Sequence, residues 1–206
     1  MKKIVLIILF ILWRAITKRG IPVAYGKYLM SYDQLGFRML LAVAAIILFH
    51  KYLLQNFRRI KIVPLIKICL ITSIAIILAI GLINLLFIGD GNPWVFNFPV
   101  EQRNAPSVFH VIIVAPFFEE IFYRYTFIYD GEKRWLRILT TIGSLLLFTL
   151  SHSANVNGYI LALFPFLIIG FFLTIAYLRK KNIWHSIFAH AVYNFTVMMM
   201  ALLLGG

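Results

Sequence analysis

Two adjacent carboxylates stand in the middle of an apolar run, Phe117-Phe118-Glu119-Glu120-Ile121-Phe122-Tyr123-Arg124. Glu120 and Arg124 are four residues apart, so on a helix they share a face and can form an ion pair. Glu119 points about 100° away from Glu120 and has no partner on its own helix at that spacing. A buried carboxylate without a partner is a candidate general base, because desolvation disfavours its charged form. Two further polar clusters interrupt apolar runs downstream. Phe148-Thr149-Leu150-Ser151-His152 closes one run, and His190-Ala191-Val192-Tyr193-Asn194 lies inside the last. His190 and Asn194 are one turn apart and present two polar heads to one side. The bland readings are an interfacial histidine at 152 and a hydrogen-bonded packing pair at 190 and 194. His185, beside Trp184 at the start of the last run, reads as interfacial.

These residue types limit the chemistry. No HExxH is present, which disfavours one large class of zinc proteases. No GxSxG or other serine-centred signature occurs. The single thiol, Cys69, lies in an apolar run remote from any histidine, where it reads as a small buried hydrophobe. What remains is carboxylates, histidines, an asparagine and an arginine. Such a set can activate water directly, with a glutamate taking the proton and donors holding an oxyanion. A glutamate with two histidines is also an acceptable zinc set. Spacing alone does not choose between them.

The elements that must position these groups are apolar helices. Of 206 residues, 62% are hydrophobic and only 13% charged, against roughly half and a quarter in soluble domains. The apolar runs are too long and too uniform to leave a wet face. We therefore expect an all-α, polytopic transmembrane bundle of about six to eight helices with a polar cavity, forming one integral-membrane domain over residues 1–206. In that solvent an ionisable side chain costs about 2.5–3.5 kcal/mol unless it faces protein or water, which singles out the clusters above.

The first run, Ile4 to Trp13, follows Met1-Lys2-Lys3 like the start of a signal peptide. It meets Arg14 without a small-residue cleavage site, so an uncleaved first helix is expected. Residues 21–34, with Pro22 and Gly26, read as a polar connection or re-entrant piece. Spans are expected over about 36–54, 62–88, 107–129, 135–152, 159–178 and 183–204, with Arg38 near an end of its span. Polar loops fall at 89–106 and 153–158, and Trp13, Trp94, Trp135 and Trp184 fall near helix ends.

The net charge is +13, and many of the basic residues cluster between the apolar runs, at 51–61, 133–137 and 179–181. They alternate with basic-poor loops, which places the basic loops inside against anionic lipid and the carboxyl terminus outside. Partners are then the bilayer and a membrane-associated peptide or protein; nucleic acid is not expected. No internal repeat or linker divides the chain.

Taken together and in order, EExxxR, FxxxH and HxxxN resemble the CAAX protease and bacteriocin-processing family of intramembrane endopeptidases, which includes the type II CAAX prenyl proteases. The resemblance covers roughly residues 105–200. It implies that Glu119 is the base activating the attacking water and that His152 helps to bind and polarise it. It also implies an oxyanion hole from His190 and Asn194, with Glu120, Arg124 and Phe148 supporting the site. The family mechanism implied is metal-independent, so no cofactor is expected, although zinc remains a chemical alternative. In function it implies peptide-bond hydrolysis in the cell membrane, serving bacteriocin self-immunity or peptide maturation. The competing readings are a non-catalytic scaffold or immunity protein keeping the fold, and a small proton-coupled transporter. The latter is disfavoured by the lack of matching repeats.

Overall fold

The computed structural model describes residues 1–18, 27–87, 105–153 and 160–204. The expected loop at 89–106, with Trp94, and the one at 153–158 lie almost wholly outside them. Seven helices run through the described residues. They are α1 (Lys2–Lys18), α2 (Lys27–Arg58), α3 (Ile62–Phe87), α4 (residues 105–126), α5 (Arg134–Ser151), α6 (Phe164–Lys180) and α7 (Ile183–Leu204). A 3-10 turn, Ile160–Leu163, leads into α6. The chain is a multi-pass membrane protein with an all-α fold. Among the described residues, four stretches are long and apolar enough to cross a bilayer, namely Gly36–Arg58, Ile62–Leu86, Pro106–Thr126 and Ile183–Leu203. The other helices are shorter or less apolar.

Residues 27–34 are helical rather than a connection. From Lys27 to Gln34 no proline or glycine interrupts the chain, so nothing local ends the helix before the apolar run begins.

Apolar residues face outward and small polar residues inward, as lipid solvent requires. On α3, Ile62, Ile66, Leu70, Ile74, Leu78, Leu82 and Leu86 form an exposed stripe at every fourth position. Cys69, Thr72, Ser73, Ile76 and Ile80 of the same helix are buried. The exposed stripe is the surface for acyl chains, and the small inward residues let helices approach closely. Gly170 shows that device at the crossing of α5 and α6. A Cβ there would stand 2.8 Å from a Leu145 methyl and 2.9 Å from the Phe148 ring.

The centre of the bundle is α7, which packs against α2, α3, α4 and α6. α4 lies between α7 and α5 and also meets α1 and α2. Phe10 of α1 packs on Phe122 at 4.1 Å between ring centroids, so the first helix covers the outer flank of α4.

Candidate active site

α4 carries the paired glutamates, and it is an interrupted helix. Two π segments, His110–Val114 and Ile121–Thr126, flank the α-helical Ala115–Glu120. Pro116 has no N–H to give, and Ala115 gives its N–H to the carbonyl of His110. The Val111 carbonyl is thereby left without a helical donor four or five residues on. Asn194 of α7 fills the gap, its Nδ2 donating to that oxygen at 2.7 Å.

The second π segment repeats the device. Phe127 and Ile128 both give their N–H groups to the carbonyl of Arg124, which strands the carbonyl of Tyr123. Ser144 of α5 donates to it at 2.5 Å. A buried carbonyl without a donor costs about 1–3 kcal/mol, so each contact pins α4 to a neighbour at a fixed height and rotation. π segments of this kind are frequent at functional sites.

So oriented, α4 sends its two carboxylates to different partners. Glu120 is fully buried. His190 donates to it from Nδ1 at 3.0 Å, and the Ser186 hydroxyl also reaches it. Arg124 lies one turn on, with Nε 3.3 Å from the same carboxylate. Its guanidinium donates to the Gly170 carbonyl at 3.2 Å and sits 4.5 Å over the Phe148 ring. The ion pair read from the spacing is therefore present, and Glu120 with Arg124 ties α4 to α5, α6 and α7.

Glu119 is 7% exposed and is not unpaired. Arg38 of α2 donates to its Oε1 at 3.2 Å, and the same nitrogen lies 3.4 Å from Nε2 of His110. This corrects the expectation of a partnerless carboxylate, for a physical reason. Absence of a partner at helical spacing says nothing about a neighbouring helix, and Arg38 is 81 residues away in the chain. Sequence reasoning missed both Arg38 and His110 as members of the site. The only signal was an arginine inside an apolar run, which a bilayer penalises unless it is paired.

His152 caps α5. Its Nδ1 donates to the Phe148 carbonyl at 2.8 Å, and its ring stacks on Phe166 with centroids 4.3 Å apart. With Nδ1 holding the proton, Nε2 of the neutral ring presents a lone pair. The connection after α4 folds back along the first turns of α5. Tyr129 N–H bonds the Thr140 hydroxyl at 2.9 Å, and Arg137 reaches the Gly131 carbonyl at 2.8 Å. With Ser144 opposite Tyr123, the same antiparallel register carries His152 to about the level of Ala115.

The geometry joins Glu119 with Arg38 and His110, sets His190 on the neighbouring Glu120, and places the Phe148 ring against both His152 and His190. Asn194 is on the same helix face as His190, but one of its amide hydrogens is held by Val111. His185, at the start of α7, is buried within the protein at 5% exposure. Among the described residues, no three His, Cys, Asp or Glu side chains are grouped so that they could hold a metal ion.

Residues 101–196 match the family model described as Rce1-like, type II CAAX prenyl endopeptidase Rce1-like. No curated protein and no solved structure matches the chain.

Proposed function

From the match of residues 101–196 to the Rce1-like type II CAAX prenyl endopeptidase family model, we infer that this chain hydrolyses a peptide bond within the membrane, using water activated by Glu119. The observation that carries the reading is the convergence of that match with the buried Glu119, paired to Arg38 beside the Glu120–His190 contact. Glu119 takes a proton from water as the oxygen attacks the scissile carbonyl carbon. His152 orients that water through Nε2, since its Nδ1–H is held by Phe148. The carbonyl π electrons move onto oxygen, and the oxyanion is met at the His190 ring, which Glu120 holds in place from the Nδ1 side. The second amide hydrogen of Asn194 joins it. As the tetrahedral intermediate collapses, the C–N bond breaks and Glu119 returns its proton to the leaving amine. Arg38 positions the Glu119 carboxylate. The substrate is a membrane-associated peptide or protein in the cell membrane, with self-immunity or peptide maturation as the biological setting.

A second reading, a non-catalytic scaffold, is favoured by one observation. Glu119, Glu120, His190 and Asn194 all have partners within the protein, so the cost of polar groups in lipid is met without any catalytic role. Cleavage of a fluorogenic peptide library by the purified, detergent-solubilised chain separates the two. The enzyme reading requires cutting by wild type and none by Glu119→Gln, with chelator making no difference. Loss of cutting on chelation would move the same residues to a metal-assisted mechanism. Equal inertness of wild type and variant, with immunity retained in cells by both, would leave the scaffold.

A further inference from the structure

A second polar site lies away from the glutamates, at the end of the bundle where α2 passes to α3 and α6 to α7. It is a cavity of about 280 Å³ whose lining includes Arg59, Lys61, Lys180, Lys181 and His185. No carboxylate lines it. Four cations around one concavity repel each other, so the arrangement is stable only with an anion or with wide solvation.

The cavity is built rather than incidental. Asn182, 6% exposed, donates from Nδ2 to the Asn56 carbonyl at 2.9 Å. Its Oδ1 accepts the Trp184 N–H at 3.0 Å, and the Trp184 indole donates to the Leu53 carbonyl at 2.8 Å. Lys181 turns the chain in the left-handed conformation, φ 48°, which lets α7 start immediately after α6. These bonds clamp the 59–61 and 181–182 connections together. α3 and α7 begin here and α2 and α6 end here, so helix dipoles of both signs are present and largely offset. Side chains decide the sign of the field.

The feature that points to a ligand is His185. It is 95% buried and lines the cavity; the Asn182 carbonyl lies near its ring, but Nδ1 makes no well-aligned hydrogen bond. A buried ring nitrogen so poorly satisfied is destabilising, and a bound group offering a complementary atom would relieve it. We propose that this cavity binds a phosphoryl anion, with Arg59, Lys61, Lys180 and Lys181 supplying charge and His185 the buried contact. The proposal is independent of the protease reading. The anion's source is a phospholipid headgroup or free phosphate, which share that chemistry.

The test uses the full chain in phosphatidylcholine nanodiscs, with thermal unfolding as readout. Phosphatidylglycerol is titrated into the bilayer in one arm and inorganic phosphate into the buffer in the other. Wild type is expected to show a saturable rise in its midpoint with one of the two. The responding arm identifies the source. In Arg59→Gln/Lys180→Gln, whose side chains are exposed and outside the packed core, the apparent affinity is expected to fall about tenfold or more. His185→Leu is expected to lose the response while keeping the unliganded midpoint at or above that of wild type. Lys133→Gln/Arg134→Gln removes equal charge elsewhere and is expected to keep the response. Absence of any rise in wild type, or an equal loss in the Lys133/Arg134 control, would overturn the proposal.

Discussion

Two arginines inside the bundle do opposite jobs, and single substitutions separate them. Arg124 is fully buried and faces a fully buried Glu120. Removing one partner of such a pair leaves a bare charge in low dielectric, at about 3–5 kcal/mol. Arg124→Met should therefore unfold at much lower temperature than wild type. The double variant Glu120→Gln/Arg124→Met should recover most of that loss, because neither charge is then stranded. Equal destabilisation in single and double variants would show that Arg124 acts through Gly170 and Phe148 instead. Arg38 differs, since its side chain is 27% exposed where it meets Glu119. The pair is open on the Arg38 side and glutamine keeps a donor for Glu119, so Arg38→Gln should lower the unfolding midpoint far less than Arg124→Met. If Glu119 is the base, the same variant should lower kcat about tenfold or more with KM little altered. Arg38→Lys, which keeps a donor and the charge, should restore part of the rate. A variant that changes only the midpoint would reduce Arg38 to a packing residue.

At the scale of an element, the register of α4 sets what each glutamate meets, and Pro116 with Asn194 sets that register. Asn194→Ala should cost about 1–3 kcal/mol, because it strands the Val111 carbonyl. Pro116→Ala supplies an N–H five residues after Val111, so in that background the cost should shrink by about 1 kcal/mol. A double-mutant cycle on chemical or thermal unfolding measures the coupling. An uncoupled pair would mean that the amide is not acting as a cap. Cleavage would separate the second duty of Asn194, since a restored cap does not replace an oxyanion donor. This device also marks where sequence reading stops. The apolar runs announced the helices, because in lipid each span must satisfy its own backbone. Glu120 with Arg124 was legible because both sit on one helix at one-turn spacing. Arg38 with Glu119, His110 with Arg38, and Ser144 with Tyr123 join different helices, and no local period encodes which helices touch. The π segments were hidden for a related reason. Pro116 shows that one N–H is missing, but not which side chain from elsewhere repairs the break.

For the whole molecule, the basic loops predicted one-sided placement, and the packing agrees with it. Asn182 reaches the Asn56 carbonyl, which sets the 59–61 and 181–182 connections at one end of the bundle. The end of α4 arrives there too, with Tyr125 stacked on Tyr52 at 3.8 Å and Lys3 held 4.5 Å over the Tyr125 ring. Three basic connections on one face are what an anionic inner leaflet retains during insertion. Since α7 begins at that face and runs 22 residues, or about 33 Å, its far end must lie at the other. Labelling tests this in a Cys69→Ala background with single cysteines at Arg59, Lys180 and Leu203, all exposed. An impermeant maleimide applied to intact cells should modify Leu203→Cys and spare Arg59→Cys and Lys180→Cys. Permeabilisation should then expose the latter two. Labelling of Arg59→Cys from outside together with Leu203→Cys would break the link between the basic connections and the inner face. It would also move the phosphoryl cavity to the opposite leaflet. The glutamates are unaffected by that reversal, because Glu119 and Glu120 are held within the bundle by contacts to α2 and α7 whichever way the chain inserts.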